Sequence, residues 1–297
     1  MYRSLLYVPA NNEKFVAKAA SRGADAIILD LEDSIAPSEK LAARAALLKA
    51  VPVCASGGSD VWVRVNRPMR QCTGDLEAVV ASGAHGILLP KAESADHVRF
   101  VAEILEDIER ELGVSHETRM IVLLEDPAAV LGALQIISAH PRVIGASAGG
   151  EDLSTAMDAE AGPEALRFPK LMVHLAAKGV GRYSLGLMGT VADYSDHDAI
   201  RTMVAEGRRH GFDGASCIHP SVVPLLNEGF APDPESVTRA RRIVEAFEAA
   251  ESAGQGAISL DGRMIDLPVA ERARRLLARA GKSGLGRNGA RSPGDRS

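Results

Sequence analysis

Residue types able to do acid–base, metal or anion chemistry gather at the downstream ends of short apolar runs. Asp30-Leu31-Glu32-Asp33 closes the run Ala26 to Leu31, Arg64-Val65-Asn66-Arg67 closes Val61 to Val65, and Pro90-Lys91 follows Gly86 to Leu89. Glu125-Asp126 follows Met120 to Leu124, Gly149-Gly150-Glu151-Asp152 follows Val143 to Ala148, and His219-Pro220 follows Gly214 to Ile218. Carboxylates from three runs, an arginine from another and no cysteine cluster point to a hard divalent cation such as Mg²⁺, held by a few oxygens with positions left open. Glu125 and Asp152 follow adjacent runs, and two carboxylates leave positions open for water or substrate oxygens. A guanidinium such as Arg64, permanently charged and forked, suits a substrate carboxylate or a developing oxyanion. Glu32 and Asp33 can orient Arg64 or a metal-bound water. Each residue also has a plainer use: Glu125 as a helix-start charge before Pro127, Asp152 as a cap, and Arg64 in a salt bridge to Glu32 or Asp33.

Two further runs, Ser4 to Val8 and Ser184 to Leu187, bring the total to eight. Helical patterns lie between the runs, at Asn12 to Ser21, Ser38 to Lys49, Leu76 to Ser82, Ser94 to Leu112 and Ala128 to Ser138. Such alternation predicts an α/β fold of parallel strands with crossover helices. Eight units within about 230 residues fit a (β/α)8 TIM barrel better than an open sheet, and a barrel brings its strand ends to one mouth. Ser38 followed by Leu41 and Leu48 predicts a capped helix with those leucines facing the sheet, and Gly83 and Gly211 stand where helix C-caps are expected. In the sixth unit, Ala161-Gly162-Pro163 predicts a lengthened loop before a helix from Pro169 to Lys178. After Ser221 the alternation stops. Ala231-Pro232-Asp233-Pro234 reads as a linker, and Glu235 to Ala253 as a helix burying Val237, Ala240, Ile243, Val244 and Phe247. Ala257 to Ile265 reads as a hairpin turning at Asp261-Gly262, followed by a helix from Pro268 to Ala280. The expected organisation is a barrel over 1–230, a C-terminal helical and hairpin cap over 231–280, and a disordered tail over 281–297, where apolar residues nearly vanish.

Composition narrows the partners. The 297 residues are 46% apolar and 25% charged, ordinary for a globular protein. With 34 Lys and Arg against 39 Asp and Glu, the chain lacks the basic excess that nucleic acid requires. Aromatics are 4%, with Trp62 the single tryptophan, so base-stacking platforms are poorly supplied. The opening apolar run is too short for a signal-peptide core, and no stretch approaches the ~20 apolar residues of a membrane span. Cys54, Cys72 and Cys217 are widely spaced and odd in number, which predicts reduced thiols in a cytoplasmic protein rather than a disulfide framework.

Seven segments, in order, carry a resemblance: Tyr7-Val8-Pro9-Ala10-Asn11-Asn12-Glu13-Lys14, Leu29-Asp30-Leu31-Glu32-Asp33-Ser34-Ile35-Ala36-Pro37, Val63-Arg64-Val65-Asn66, Leu89-Pro90-Lys91, Gly149-Gly150-Glu151-Asp152-Leu153, Ile218-His219-Pro220 and Asp261-Gly262-Arg263-Met264-Ile265-Asp266. They closely resemble the citrate lyase β-subunit-like family of the HpcH/HpaI aldolase superfamily, which includes malyl-CoA and citramalyl-CoA lyases. The resemblance implies a Mg²⁺-dependent (β/α)8 barrel, assembled as a homotrimer or hexamer, that makes or breaks a carbon–carbon bond beside a CoA thioester. It implies Glu125 and Asp152 as the metal ligands and Arg64, with Glu125, as the contacts to the small acid. It implies that Asp266 reaches a neighbouring protomer's site and shuttles the proton at the acetyl carbon; a helix N-cap is its plainer use. Lys14 and Lys18, four apart on one helix face, would meet CoA phosphates, with Tyr7, Ile218 and His219 around the same ligand. His219 also suits a structural hydrogen bond before Pro220.

The chain departs from the family at Ala10, where glycine is usual, at Asp126, where threonine is usual, at Gly214-Ala215-Ser216-Cys217, which lacks a basic residue, and in the segment Leu185 to Tyr194. The expected activity is cleavage of a malyl-, citramalyl- or citryl-type thioester into acetyl-CoA and a short 2-oxo acid by retro-Claisen chemistry. Its rivals are a β subunit of a multi-subunit citrate lyase acting on an acyl-carrier thioester, a CoA-independent pyruvate aldolase, an acyl-CoA thioesterase, and a non-catalytic binding or regulatory barrel.

Overall fold

The eight apolar runs become eight strands. The structure, a computed structural model, describes residues 2–190 and 193–285. In chain order the elements are β1 (Ser4–Pro9), α1 (Glu13–Ala19), β2 (Ala26–Asp30), α2 (Lys40–Ala55), β3 (Asp60–Arg64), α3 (Met69–Ser82), β4 (Gly86–Leu89), α4 (Ala95–Leu112), β5 (Arg119–Leu124), α5 (Pro127–Leu131), α6 (Ala133–Ile137) and β6 (Val143–Ala148). There follow α7 (Glu151–Ala156), α8 (Pro163–Gly179), β7 (Tyr183–Leu185), α9 (His197–His210), β8 (Ala215–Cys217) and α10 (Val223–Gly229).

The sheet is parallel throughout, in the order β7-β6-β5-β4-β3-β2-β1-β8. A bridge between Leu185 and Gly214 joins β7 to β8 and makes the sheet a barrel. Gly214 is required at this seam, because a Cβ there would lie 1.9 Å from the Tyr2 carbonyl oxygen. Every residue of β2 and β4 is buried, which is why these strands read as unbroken apolar runs. Side chains alternate between two cores. Leu5, Ile28, Trp62, Leu88 and Ile121 fill the barrel interior; Leu6, Ile27, Leu29, Val63 and Ile87 belong to the core shared with the helices. Trp62 is fully buried, and Tyr2 meets it edge-on at 5.9 Å between ring centroids.

Several helices differ from the sequence reading. Ser38 does not cap α2, and Leu41 and Leu48 are 72% and 58% exposed. The helix instead buries Ala43, Leu47, Ala50, Val51 and Cys54, a stripe whose alanines allow close packing but carry little periodic signal. Helix α3 begins at Met69, well before Leu76. The span Ala128 to Ser138 splits at Gly132 into α5 and α6. Pro163 opens α8 as its first residue instead of prolonging a loop, so Pro169 lies inside the helix. Gly83 and Gly211 do sit as left-handed C-caps.

A second compact unit begins at Ala231, the first running from Tyr2 to Phe230. It contains α11 (Pro234–Ser252), β9 (Ala257–Leu260), β10 (Arg263–Asp266) and α12 (Leu267–Leu285). Its core is Ala240, Ile243, Phe247, Ile265, Ala270 and Ala273, with Val244 half-buried against it. The hairpin turns at Asp261 and Gly262, both with positive φ, as an Asp-Gly pair favours. Helix α12 runs past the expected end at Ala280; of the tail expected to be disordered, 286–297 lie outside the described residues.

Candidate active site

Strand register creates the first constellation. Asp30 ends β2, Arg64 ends β3, and the two are paired residues on adjacent strands. The Arg64 guanidinium donates to both Asp30 carboxylate oxygens, Nε to Oδ1 at 2.7 Å and Nη2 to Oδ2 at 2.8 Å. Its Nη1 lies 3.0 Å from Glu32 Oε2 and 3.3 Å from Asp33 Oδ2, and its plane covers the Tyr7 ring at 4.9 Å. Backbone N–H groups of Glu32 and Ser34 also donate to Asp30. Burial pushes the Asp30 carboxyl up, but these bonds outweigh it and hold it below the ordinary carboxylate value.

The second constellation stands across the barrel mouth, past β4, β5 and β6. Glu125 is buried, and its Oε2 accepts from the Lys91 backbone N–H at 2.8 Å. Gly149 makes room for it, since a Cβ there would lie 2.5 Å from Glu125 Cγ. Asp126, not Glu125, caps α5 by accepting from the Ala128 N–H at 2.8 Å, so Glu125 is free for the cavity. Asp152 lies in the first turn of α7 without a capping hydrogen bond. Lys91 Nζ joins the group, 3.0 Å from Glu32 Oε1 and 3.5 Å from Asp152 Oδ1. Burial, reinforced by the Asp152 and Glu32 charges, pushes Glu125 up to about 7 despite the Lys91 N–H.

A cavity of about 260 Å³ opens here, lined by Tyr7, Arg64, Glu125, Asp152, Lys170 and Ile218, among others. Six of the residues singled out from sequence, with Asp33 among them, therefore line one cavity. Among the described residues, no three His, Cys, Asp or Glu side chains form a ready-made metal cage. Two carboxylates with excess negative charge nevertheless fit Mg²⁺, which keeps several waters and takes substrate oxygens, and do not fit a structural zinc site. Lys14, Lys18 and His219 are not among the residues lining the cavity. Lys14 and Lys18 are exposed on α1. His219 stacks on Tyr194 at 4.4 Å, and its Nδ1 meets the Ser221 hydroxyl at 2.7 Å, which is the structural role foreseen for it. Asp266, in the C-terminal unit, accepts from the Val269 N–H at 3.2 Å, as an N-cap does.

Residues 3–220 match the HpcH/HpaI aldolase/citrate lyase family profile. The chain belongs to this family. It is 35% identical over 287 residues to citrate lyase subunit beta of Escherichia coli, covering 95% of this chain and 94% of that one. It is 34% identical over 282 residues to (3S)-malyl-CoA thioesterase of Cereibacter sphaeroides, covering 94% of each. A crystal structure of Mycobacterium tuberculosis CitE in complex with magnesium, acetoacetate and coenzyme A superposes with a TM-score of 0.75 at 30% identity, covering 94% of this chain and 97% of that one. The protein is thus an enzyme of the citrate lyase β-subunit-like kind.

The parts played by three residues of this family member escaped the sequence reading. Asp30 is the main partner of Arg64, visible only once the strands are paired. Lys91 stood at a strand end, but nothing in the sequence revealed that it bridges two carboxylates. Lys170 lies on α8, is 5% exposed and donates to the Gly189 carbonyl. Burial lowers the Lys170 amine to about 8 from 10.5, against an opposing pull from Glu151. Below pH 8 the folded state therefore bears a penalty of about 3 kcal/mol, which disappears as pH rises to the unfolded value. Lys170→Met should stabilise the fold by about 2 kcal/mol at pH 7, after loss of one hydrogen bond, and should be less stable than wild type by up to about 1 kcal/mol near pH 10.5, where only the lost hydrogen bond counts. Urea unfolding at pH 7, 8.5 and 10 checks this; a pH-independent difference would refute the burial penalty.

Proposed function

We propose that the protein is a Mg²⁺-dependent carbon–carbon lyase that cleaves a 3-hydroxyacyl-CoA of the malyl, citramalyl or citryl type into acetyl-CoA and a short 2-oxo acid. The observation that carries this reading is the meeting of Glu125, Asp152 and Arg64 at one cavity of a family barrel. Glu125 and Asp152 hold the cation, which when bound supplies Lewis-acid polarisation of the oxo oxygen. Arg64, anchored by Asp30 through Nε and Nη2, meets the carboxylate and the developing charge through Nη1, in exchange for its contacts to Glu32 and Asp33. In the cleavage direction the hydroxyl passes its proton to a water molecule and becomes a carbonyl, the adjacent carbon–carbon bond breaks, and its electron pair passes to the thioester as an enolate. Asp266 of a neighbouring protomer returns a proton to the acetyl carbon. Lys14, Lys18, Tyr7, Ile218 and His219 surround CoA, with the ammonium groups on its phosphates. The assembly in this reading is a cytoplasmic homotrimer or hexamer, in which a neighbour supplies Asp266. Among the described residues no helix is long and apolar enough to cross a membrane.

Incubation of the purified protein and Mg²⁺ with malyl-, citramalyl- and citryl-CoA, with products identified by mass, tests the proposal. Acetyl-CoA plus an oxo acid supports it and names the substrate. Hydroxy acid plus free CoA identifies a thioesterase, and activity confined to an acyl-carrier thioester identifies a citrate lyase β subunit. The nearly equal identities to both kinds of relative make these the relevant rivals. Pyruvate plus a free aldehyde identifies an aldolase, and failure to bind Mg²⁺ or any thioester identifies a non-catalytic barrel.

Asp266→Asn preserves a capping side chain, so the fold should be unchanged while turnover falls by ~10²–10³-fold. If the aspartate serves a neighbour, mixed oligomers of Asp266→Asn and Glu125→Gln subunits should regain activity. Failure of mixing to restore any rate in subunits shown to exchange removes Asp266 from that role.

A further inference from the structure

Lys91 has a left-handed backbone, φ 47°, which a residue with a side chain rarely adopts. Strain of this kind persists where the surroundings enforce it. Two groups of the same residue are engaged. The backbone N–H donates to Glu125 Oε2 at 2.8 Å, while the ammonium lies 3.0 Å from Glu32 Oε1 and 3.5 Å from Asp152 Oδ1. One residue thereby touches three carboxylates. Asp30, Glu32, Asp33, Glu125 and Asp152 contribute five formal negative charges, and Arg64 and Lys91 two positive ones. Three negative charges remain, an excess that draws in a divalent cation.

We infer that Lys91 is a positioning residue acting as the resident counter-cation of the carboxylate cluster, holding Glu125 and Asp152 ready for a divalent cation while weakening that cation's binding by like-charge repulsion. The inference rests on the reading of Glu125 and Asp152 as metal ligands. Without the ammonium the cluster would bear four negative charges, and a divalent cation would be drawn in more strongly. With it, the cation alone is held loosely, and an anionic oxo acid arriving beside it offsets the repulsion. Cation and acid therefore bind each more tightly in the presence of the other.

The test is Mn²⁺ binding to the purified full chain, read from the paramagnetic resonance signal of free Mn²⁺. Lys91→Met should bind Mn²⁺ about tenfold more tightly than wild type, from loss of like-charge repulsion, and Lys91→Arg should stay near wild type. A purely structural role for Lys91 would weaken binding instead. Unchanged or weaker affinity in Lys91→Met, with wild-type binding intact and lost in Glu125→Gln, overturns the Lys91 inference alone. Absence of Mn²⁺ binding in wild type overturns the metal reading and the inference with it. Should Lys91→Met fail to fold, Lys91→Gln removes the same charge and is judged by the same criterion.

Discussion

Glu125→Gln is expected to abolish divalent-cation binding and to reduce turnover by at least ~10²–10³-fold, the scale of losing charge stabilisation at such a centre. The amide has the same shape, and its oxygen can still accept the Lys91 N–H, so the barrel should fold. Stability should move the other way from activity. In the metal-free protein, burial and neighbouring carboxylates raise Glu125 from 4.5 to about 7. A group raised in this way costs nothing below pH 4.5, and its full penalty, about 3 kcal/mol, is reached above pH 7. In chelator, Glu125→Gln should therefore exceed wild type in urea resistance at pH 8 and match it at pH 4.5. Calorimetric titration with Mg²⁺ and urea unfolding at the two pH values provide the measurements. Retained metal binding in the variant would exclude Glu125 as a ligand; equal stability at pH 8 would exclude the crowding of charge.

Arg64→Ala should damage both function and fold. It removes the group proposed to meet substrate charge, which again costs ~10²–10³ in rate. It also strands Asp30, which is 1% exposed, without the two hydrogen bonds that keep it ionised. Breaking a buried pair from one side costs about 3–5 kcal/mol. The sign with pH is set by Asp30, whose folded value lies below the unfolded 3.8. Its stabilising contribution is present above 3.8 and lost as pH falls through the folded value, so the gap between wild type and Arg64→Ala should be wide at pH 7 and narrow in acid. Combining Arg64→Met with Asp30→Asn removes both charges and should recover much of the stability while leaving turnover low. Arg64→Lys keeps a charge but lacks the fork, and should bind Asp30 less well. A single variant with near-wild-type turnover would remove Arg64 from the chemistry.

The parts that sequence made legible share a cause. Parallel strands buried on both faces read as unbroken apolar runs, and a barrel gathers the polar residues beyond those runs at one mouth. Asp30, Arg64, Glu125 and Asp152 were visible on that ground. The contacts of Arg64 to Glu32 and Asp33 were visible too, but two other partnerships were not. The Arg64–Asp30 pair depends on which residues face each other across β2 and β3, and the Lys91 bridge depends on a backbone conformation with no compositional signal. Helix α2 misled because its buried stripe is built partly from alanines while two leucines face outward. Lys170 lies within an ordinary helical pattern and becomes notable only through its burial. Asp266 came from family resemblance alone, and its local hydrogen bond is that of a cap.

The indole that fills the barrel interior also determines what optical methods will see. Trp62 is the single tryptophan and is wholly shielded from solvent, and all four tyrosines, Tyr2, Tyr7, Tyr183 and Tyr194, precede Ala231. Intrinsic fluorescence therefore reports the first unit alone, shifting to the red when the barrel opens. The C-terminal unit carries no such chromophore, so its melting must be followed by far-ultraviolet dichroism. Disagreement between the two signals would reveal independent unfolding of the segment that carries Asp266.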